Sequence, residues 1–575
     1  MRALALFAVL FGLGAPVRAA AVEASTDVFK GDPVFRAMKD EMDRTLKKLE
    51  LAGFPKPYFV SYAVRDEEHN SVAADFGGLV EVSSSPVRQA AVILRVGDYA
   101  LDDANFIGYR GDCRPVREEV PVEDDYDAMR FQLWSMTDQA YKQALECFAA
   151  KKAYLETKNI VHEEDDFSRE KPVESFENAP EIKVDAAAWA GTVRRLSASF
   201  RSHPEAQSSE VSLEAVPRKM RYVNSEGTAY ARPEPLAEFS VSAKAQAADG
   251  MEISDERTLL APDARDFSPE RLSAEVDAFA GEVKSWVQAS TAGAYVGPVI
   301  FEDQAAGEFF HHLLAEQVSA PRAPLQEDEE RKIFDGGGLA GRLGLRVASP
   351  ILSVTDDPSM ESFEGTPLFG HYTIDDEGVP ASKVALVQKG MLRDVLMSRA
   401  PTAKRPHSNG HGRGGLWAIP SGQVGVMVVR SDETVSKKKL VSRMLSLCRE
   451  QGLEYGLRIK HLYSPAYDRD KSLLPLPVEV YKVYVKDGHE ERVRGIQFED
   501  LGLRALKDVL AASKETYVYN FYARGPYRDN VFYVPASIVT PSILVQEIEF
   551  KPVEEKALHL PYLPHPYFEP QDRKR

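Results

Sequence analysis

The chain has 575 residues, more than the roughly 250–300 that one core organises, so two or more domains are expected. At 44% hydrophobic, 9% aromatic and 28% charged it has the material for sizeable cores. A formal net charge of -17 argues against nucleic acid as the main partner, because phosphate binding needs clustered Lys and Arg.

In chain order, Arg2, the apolar run from Ala3 to Pro16 and the small residues Ala19, Ala20 and Ala21 have the layout of a secretory signal. This sets a signal peptide at residues 1–21 and an exported protein, periplasmic or secreted; the alternative is an uncleaved apolar tail. The run is too short to span a bilayer, and no later stretch is apolar enough, so no transmembrane segment is expected. Phe35, Met38, Met42, Leu46 and Leu49 then recur at helical spacing between Pro33 and Leu51. Runs at Tyr58 to Val64, Leu79 to Ser83 and Ala90 to Val96 read as strands, separated by Gly77-Gly78 and Ser84-Ser85-Pro86 turns. A long helix follows from about Tyr126 to Lys158, and the acidic stretch 163–180 reads as a linker or exposed loop.

The layout then repeats. A helix near Ala186 to Phe200 leads into strands near Ser209 to Ala215, Lys219 to Val223 and Leu236 to Ala245, with hairpin chemistry at Asn224 to Gly227. A helix from about Pro269 to Ser290 closes this block. Residues 22–295 are thus expected to form an N-terminal α+β domain with antiparallel sheets and long helices, with a possible subdivision near 163–180. From Gly297 the character changes. A strand at Pro298 to Phe301 enters a helix from about Gln304 to Val318, the region 296–320. Residues 321–575 read mostly as strands and glycine turns, with one helix near Val435 to Gln451. The expected fold class is α+β with a β-rich C-terminal half.

The three cysteines are Cys113, Cys147 and Cys448. Export permits disulfides, and Cys113 could pair with Cys147, but an odd number leaves at least one thiol free or paired between chains. Cys448 lies in an apolar helical pattern with Leu440, Met444 and Leu447, which suits a small buried hydrophobe. Asp375, Asp376 and Gly378 suit a tight, solvated turn, and Lys389-Gly390 suits a second turn. His407, His411 and Arg413 fall among glycines, as in a flexible loop.

Three segments carry a resemblance. The first is Gly297-Pro-Val-Ile-Phe-Glu302 followed by Ala305 to Glu316, with His311 and His312 inside it. The second is Thr373-Ile-Asp375-Asp376-Glu377-Gly378, then Lys389-Gly390, Ser398-Arg399 and Asn409-Gly410-His-Gly-Arg413. The third is Val493-Arg-Gly495 and the apolar run Pro535 to Phe550. In this order they resemble the TldD/PmbA (modulator of DNA gyrase) metallopeptidase family. The C-terminal half matches well and the N-terminal half by layout.

The resemblance implies an α+β fold and a zinc held by the two histidines of a His-Glu-x-x-x-His motif and a Cys near the C-terminus. The motif Glu is the expected general base. Here His311 holds the first His position, His312 falls at the base position and Glu316 at the second His position. The run Pro535 to Phe550 contains no Cys. His311 and Glu316 are the remaining candidate metal ligands, and His312 should point about 100° away round an α-helix. The motif is therefore degenerate, and no cofactor is expected unless an unusual zinc site holds.

The family also implies a two-fold dimer, in which a branch without the zinc motif partners a zinc-bearing branch. The expected function is non-catalytic: binding of peptide or unfolded polypeptide, as a homodimer or as a heterodimer with a zinc-bearing paralogue. The alternatives are an active zinc metallopeptidase with unusual ligands that cleaves unfolded peptides, and an envelope scaffold.

Overall fold

The computed structural model describes residues 31–568, apart from 109–110, 113, 178–182, 329, 331, 334–336, 403–404, 417, 464–472, 500, 529–530 and 554–565. The expected signal segment 1–21 and Cys113 lie outside the described residues.

The fold is mixed α+β, as the sequence indicates, and is built on two large sheets. The first has nine strands drawn from residues 57–261. Its frame is a hairpin of two 19-residue strands, Pro57–Asp75 and Gly78–Val96. Phe76 (φ 49°) and Gly77 (φ 79°) turn it, both in the left-handed region that a twisted two-residue hairpin loop requires. The strand Pro57–Asp75 then pairs along its other edge, first with Arg218–Asn224 and further on with Ser208–Val216. Leu236–Gln246 and Glu252–Ala261 extend the sheet antiparallel.

The sequence divides this hairpin at Ser84-Ser85-Pro86, whereas the strand runs straight through them. Pro86 sits opposite Glu68, on a stretch where strand 78–96 pairs on one side only. No partner there needs the missing N–H, so Pro86 is tolerated.

Two long helices cover one part of this sheet. Pro33–Lys48 starts at the Asp32 cap, whose carboxylate accepts the N–H groups of Val34 and Phe35. It packs its Phe35, Met38 and Met42 side against Tyr126–Lys158 and the hairpin. Ala186–Ser197 and Pro269–Gln288 pack over the other part around Phe239, Phe279 and Trp286. Residues 163–168 differ from an exposed linker. Asp166 is fully buried against Lys151 Nζ at 2.5 Å, and the N–H groups of Asp166 and Phe167 both reach Tyr99 O.

The second sheet has 13 strands drawn from residues 290–552. At its centre Tyr295–Phe301 lies between Tyr455–Leu462 and the 20-residue strand Tyr533–Pro552. The expected helix near Val435 to Gln451 is present as Lys437–Glu450, capped by Ser436. Cys448 on it is free and buried with Ile300, Met444 and Leu544, as its apolar spacing indicates. Cys147 is disulfide-bonded. Among the described residues no helix is long and apolar enough to cross a membrane.

Candidate functional site

The strand Tyr295–Phe301 delivers the chain to the motif helix. Gln304–Phe310 is α-helical and the next turn, His311–Ala315, is π-helical. Glu316 N–H donates to His311 O at 3.1 Å, a bond spanning five residues. In an α-helix, residues five apart lie about 140° apart round the axis; the wider π turn brings them to the same side. His311 Nε2 lies 3.4 Å and His312 Nδ1 lies 3.1 Å from the same Glu316 Oε1. The expectation that His312 would point away is therefore corrected. Its ring stacks on that of His311 with centroids 4.2 Å apart and planes 20° from parallel.

The cluster is nearly closed. The three side chains are each about a tenth exposed. Phe521 lies 4.0 Å from His311, ring centre to ring centre, and stacks with Tyr519. Tyr519 can approach the helix only because residue 307 is glycine: a Cβ there would meet the Tyr519 Cβ at 2.5 Å.

The nitrogen and oxygen donors of His311, His312 and Glu316 all lie within 4.8 Å of one another. By count and type they suit zinc. By orientation they do not. An imidazole binds a metal along a lone pair in its ring plane, and two stacked, nearly parallel planes do not meet beside the carboxylate. One ring would have to rotate against Phe521 and Tyr519 for both to face one ion. At the general-base position stands His312, itself bonded to Glu316. The remaining cysteine, Cys448, lies in a separate apolar cluster where burial raises its thiol to about 11.

One turn before His311 sits a second buried group that the sequence reading missed. Glu308 is 4% exposed; its carboxylate accepts the Leu462 N–H at 2.8 Å and the Gln304 amide at 2.9 Å. His461 Nε2 is 3.4 Å from Glu308, and its Nδ1 is 3.0 Å from Asp255 on the first sheet. Burial alone would lower the His461 pKa, but the Asp255 and Glu308 carboxylates raise it to about 9. The only sequence signal was an acid inside the apolar run Ala305 to Phe310.

The Asp375-Asp376-Glu377 turn is buried at Asp375 and at the Asp376 carboxylate and half-buried at Glu377, which corrects its reading as a solvated turn. Asp375 is fully buried and accepts N–H groups of Glu377, Val379 and Gly412. Burial would raise Asp376, but Arg413, Arg232 and the N–H groups of Gly414 and Gly415 hold it down to about 2. Burial and the neighbouring Asp375 push Glu377 up to about 8. A Cβ on Gly412 would stand 2.3 Å from Glu377 Oε2, so a larger residue there would have to displace that carboxylate.

The glycine-rich segment after it is not a loose loop. His411 is fully buried with its Nε2 3.0 Å from Asp356, and Arg413 lies 4.3 Å over the Tyr372 ring. His407 alone of these is well exposed, at 68% of its side chain. Arg399 spans the halves: its guanidinium reaches both Glu226 oxygens at 2.7 and 2.9 Å and bonds Ser168 O.

Residues 293–552 match the PmbA/TldA metallopeptidase C-terminal domain. Curated metalloproteases of Archaeoglobus fulgidus and Methanothermobacter thermautotrophicus are 33% and 31% identical over 108 and 106 residues, 19% and 18% of this chain. Those stretches are about a fifth of each relative, 21% and 20%. A candidate modulator of a DNA gyrase from Thermotoga maritima shares the fold at a TM-score of 0.58 and 16% identity, over 90% of this chain and 100% of its own. TldE from Thermococcus kodakarensis does so at 0.55 and 13%, over 89% of this chain and 99% of its own. Residues 293–552 thus carry a C-terminal domain of the TldD/PmbA metallopeptidase type, and over most of its length the chain shares the fold of these two solved proteins.

Proposed function

We propose that this protein is an exported TldD/PmbA-family member that binds peptide or unfolded polypeptide without cutting it. It acts as a homodimer or beside a zinc-bearing paralogue. The observation that carries the non-catalytic reading is the stacked His311–His312 pair, closed over by Phe521 and bonded to Glu316. A hydrolytic zinc needs in-plane ligands, an open water position and a placed base together. Export rests on the Arg2, apolar-run and Ala19 to Ala21 pattern. Sequencing the N-terminus of the protein from its native source is expected to start near residue 22; an intact Met1 would contradict export.

A second reading, a zinc peptidase with unusual ligands, is favoured by the closeness of three donor residues within 4.8 Å. Metal analysis of the purified mature protein by mass spectrometry addresses it. The expected result is well below one zinc per chain. Near one zinc per chain, lost in His311→Ala, would support the second reading.

A further inference from the structure

A cleft of about 280 Å³ opens between the first sheet and the C-terminal half, away from the motif helix. Its floor is basic. Arg65, Arg218 and Arg232 come from the first sheet, and Arg413 from the glycine-rich segment of the C-terminal half. Their acid partners are fewer. Arg65 Nε and Arg218 Nε share a single oxygen, Glu67 Oε1, at 2.7 Å each. Arg232 is held by Glu234 and Asp376 together. Arg413 meets Asp376 through Nε, at 3.4 Å.

Two facts mark an unmet demand for negative charge. Arg413 is 7% exposed, yet its Nη1 has no hydrogen-bond partner. A buried guanidinium N–H without an acceptor is costly. Arg65 is pressed downward in pKa by burial and by the neighbouring Arg218 cation, as happens when like charges crowd one carboxylate. The outer part of the cleft has the opposite sign and a different texture. Exposed Glu177 and Glu361 stand at the rim, and Phe369, Tyr533 and Pro235 form apolar walls. A free inorganic anion would have to pass those acids. A chain that buries one carboxylate and leaves its neutral or cationic part at the rim suits both ends.

We propose that this cleft takes the C-terminal α-carboxylate of an extended peptide, with Arg413 Nη1 as its first donor and Arg65 and Arg218 beside it. The inference deepens the peptide-binding reading and rests on it. The carboxylate completes the Arg413 fork, and the residues before it run out along the proline and aromatic wall.

The test is fluorescence anisotropy with one unstructured, N-terminally labelled octapeptide in two forms, free acid and C-terminal amide. The free acid is expected to bind at least about tenfold tighter, the size of a charge-assisted hydrogen-bonded contact. The difference should vanish in Arg413→Gln and shrink in Arg218→Gln. Arg218 is partly exposed, and Arg65 still holds Glu67 without it, so that variant keeps its fold if Arg413→Gln does not. Equal binding of acid and amide would overturn this inference and leave peptide binding standing. Binding of neither form would overturn the peptide-binding reading, and this inference with it.

Discussion

Replacing His461 by Ala is expected to lower stability at pH 7 by about 3–5 kcal/mol, the usual cost of breaking a buried charge pair. The imidazole is 5% exposed and stands between Asp255 and Glu308, which are 3% and 4% exposed. Removing it leaves two buried carboxylates facing a void. The pair also joins the first sheet to the motif helix, so the loss should appear in both halves. The pH dependence has a definite sign. The folded pKa of His461, about 9, lies above the ordinary 6.5, so its contribution is fully present below pH 6.5 and is lost as pH rises through about 9. The gap between wild type and variant should therefore narrow from pH 7 to pH 10, as read by urea midpoints across that range. A gap that widens over that interval would contradict the charge assignment.

Arg399→Ala is expected to cost a similar amount, about 3–5 kcal/mol. Its side chain is 1% exposed, its guanidinium is 3.9 Å over the Phe167 ring, and Glu226, its bidentate partner, is only 14% exposed. Without Arg399 the Ser168 carbonyl loses the guanidinium donors, and Glu226 loses the fork and is left with the Tyr99 hydroxyl at 2.7 Å. Arg399→Lys should recover only a minor part, because an ammonium cannot span two carboxylate oxygens and a carbonyl with one planar fork. Thermal unfolding of the two variants beside wild type is the measurement. Indistinguishable midpoints for Ala and wild type would show that the junction is held elsewhere.

The fold was largely legible in the sequence where periodicity carried it. The spacing of Phe35, Met38 and Met42 gave the first helix, and the strand before Gln304 and the helix around Met444 were read nearly to their ends. The failures share a physical cause. Ser84-Ser85-Pro86 has turn chemistry, but an edge strand needs no N–H at Pro86, and tertiary pairing overrides the local preference. Asp375, Asp376 and Arg413 read as solvated because their partners, Arg232 and Tyr372, are distant in sequence or unmarked by any spacing.

The motif helix shows the same limit from the other side. Residue order singled out His311, His312 and Glu316, but an α-helical projection sets His311 about 100° from His312 and about 140° from Glu316. The π turn, which no local pattern announced, brings all three together. His461 was invisible because it meets Glu308 across 153 positions of chain and Asp255 across 206.

The most direct measurement is a cleavage assay on the mature protein supplied with zinc. An unstructured peptide is incubated with and without chelator, and its products are read by mass spectrometry. The account predicts a bound but intact peptide in both arms. Fragments that vanish with chelator, and again in His311→Ala, would contradict it.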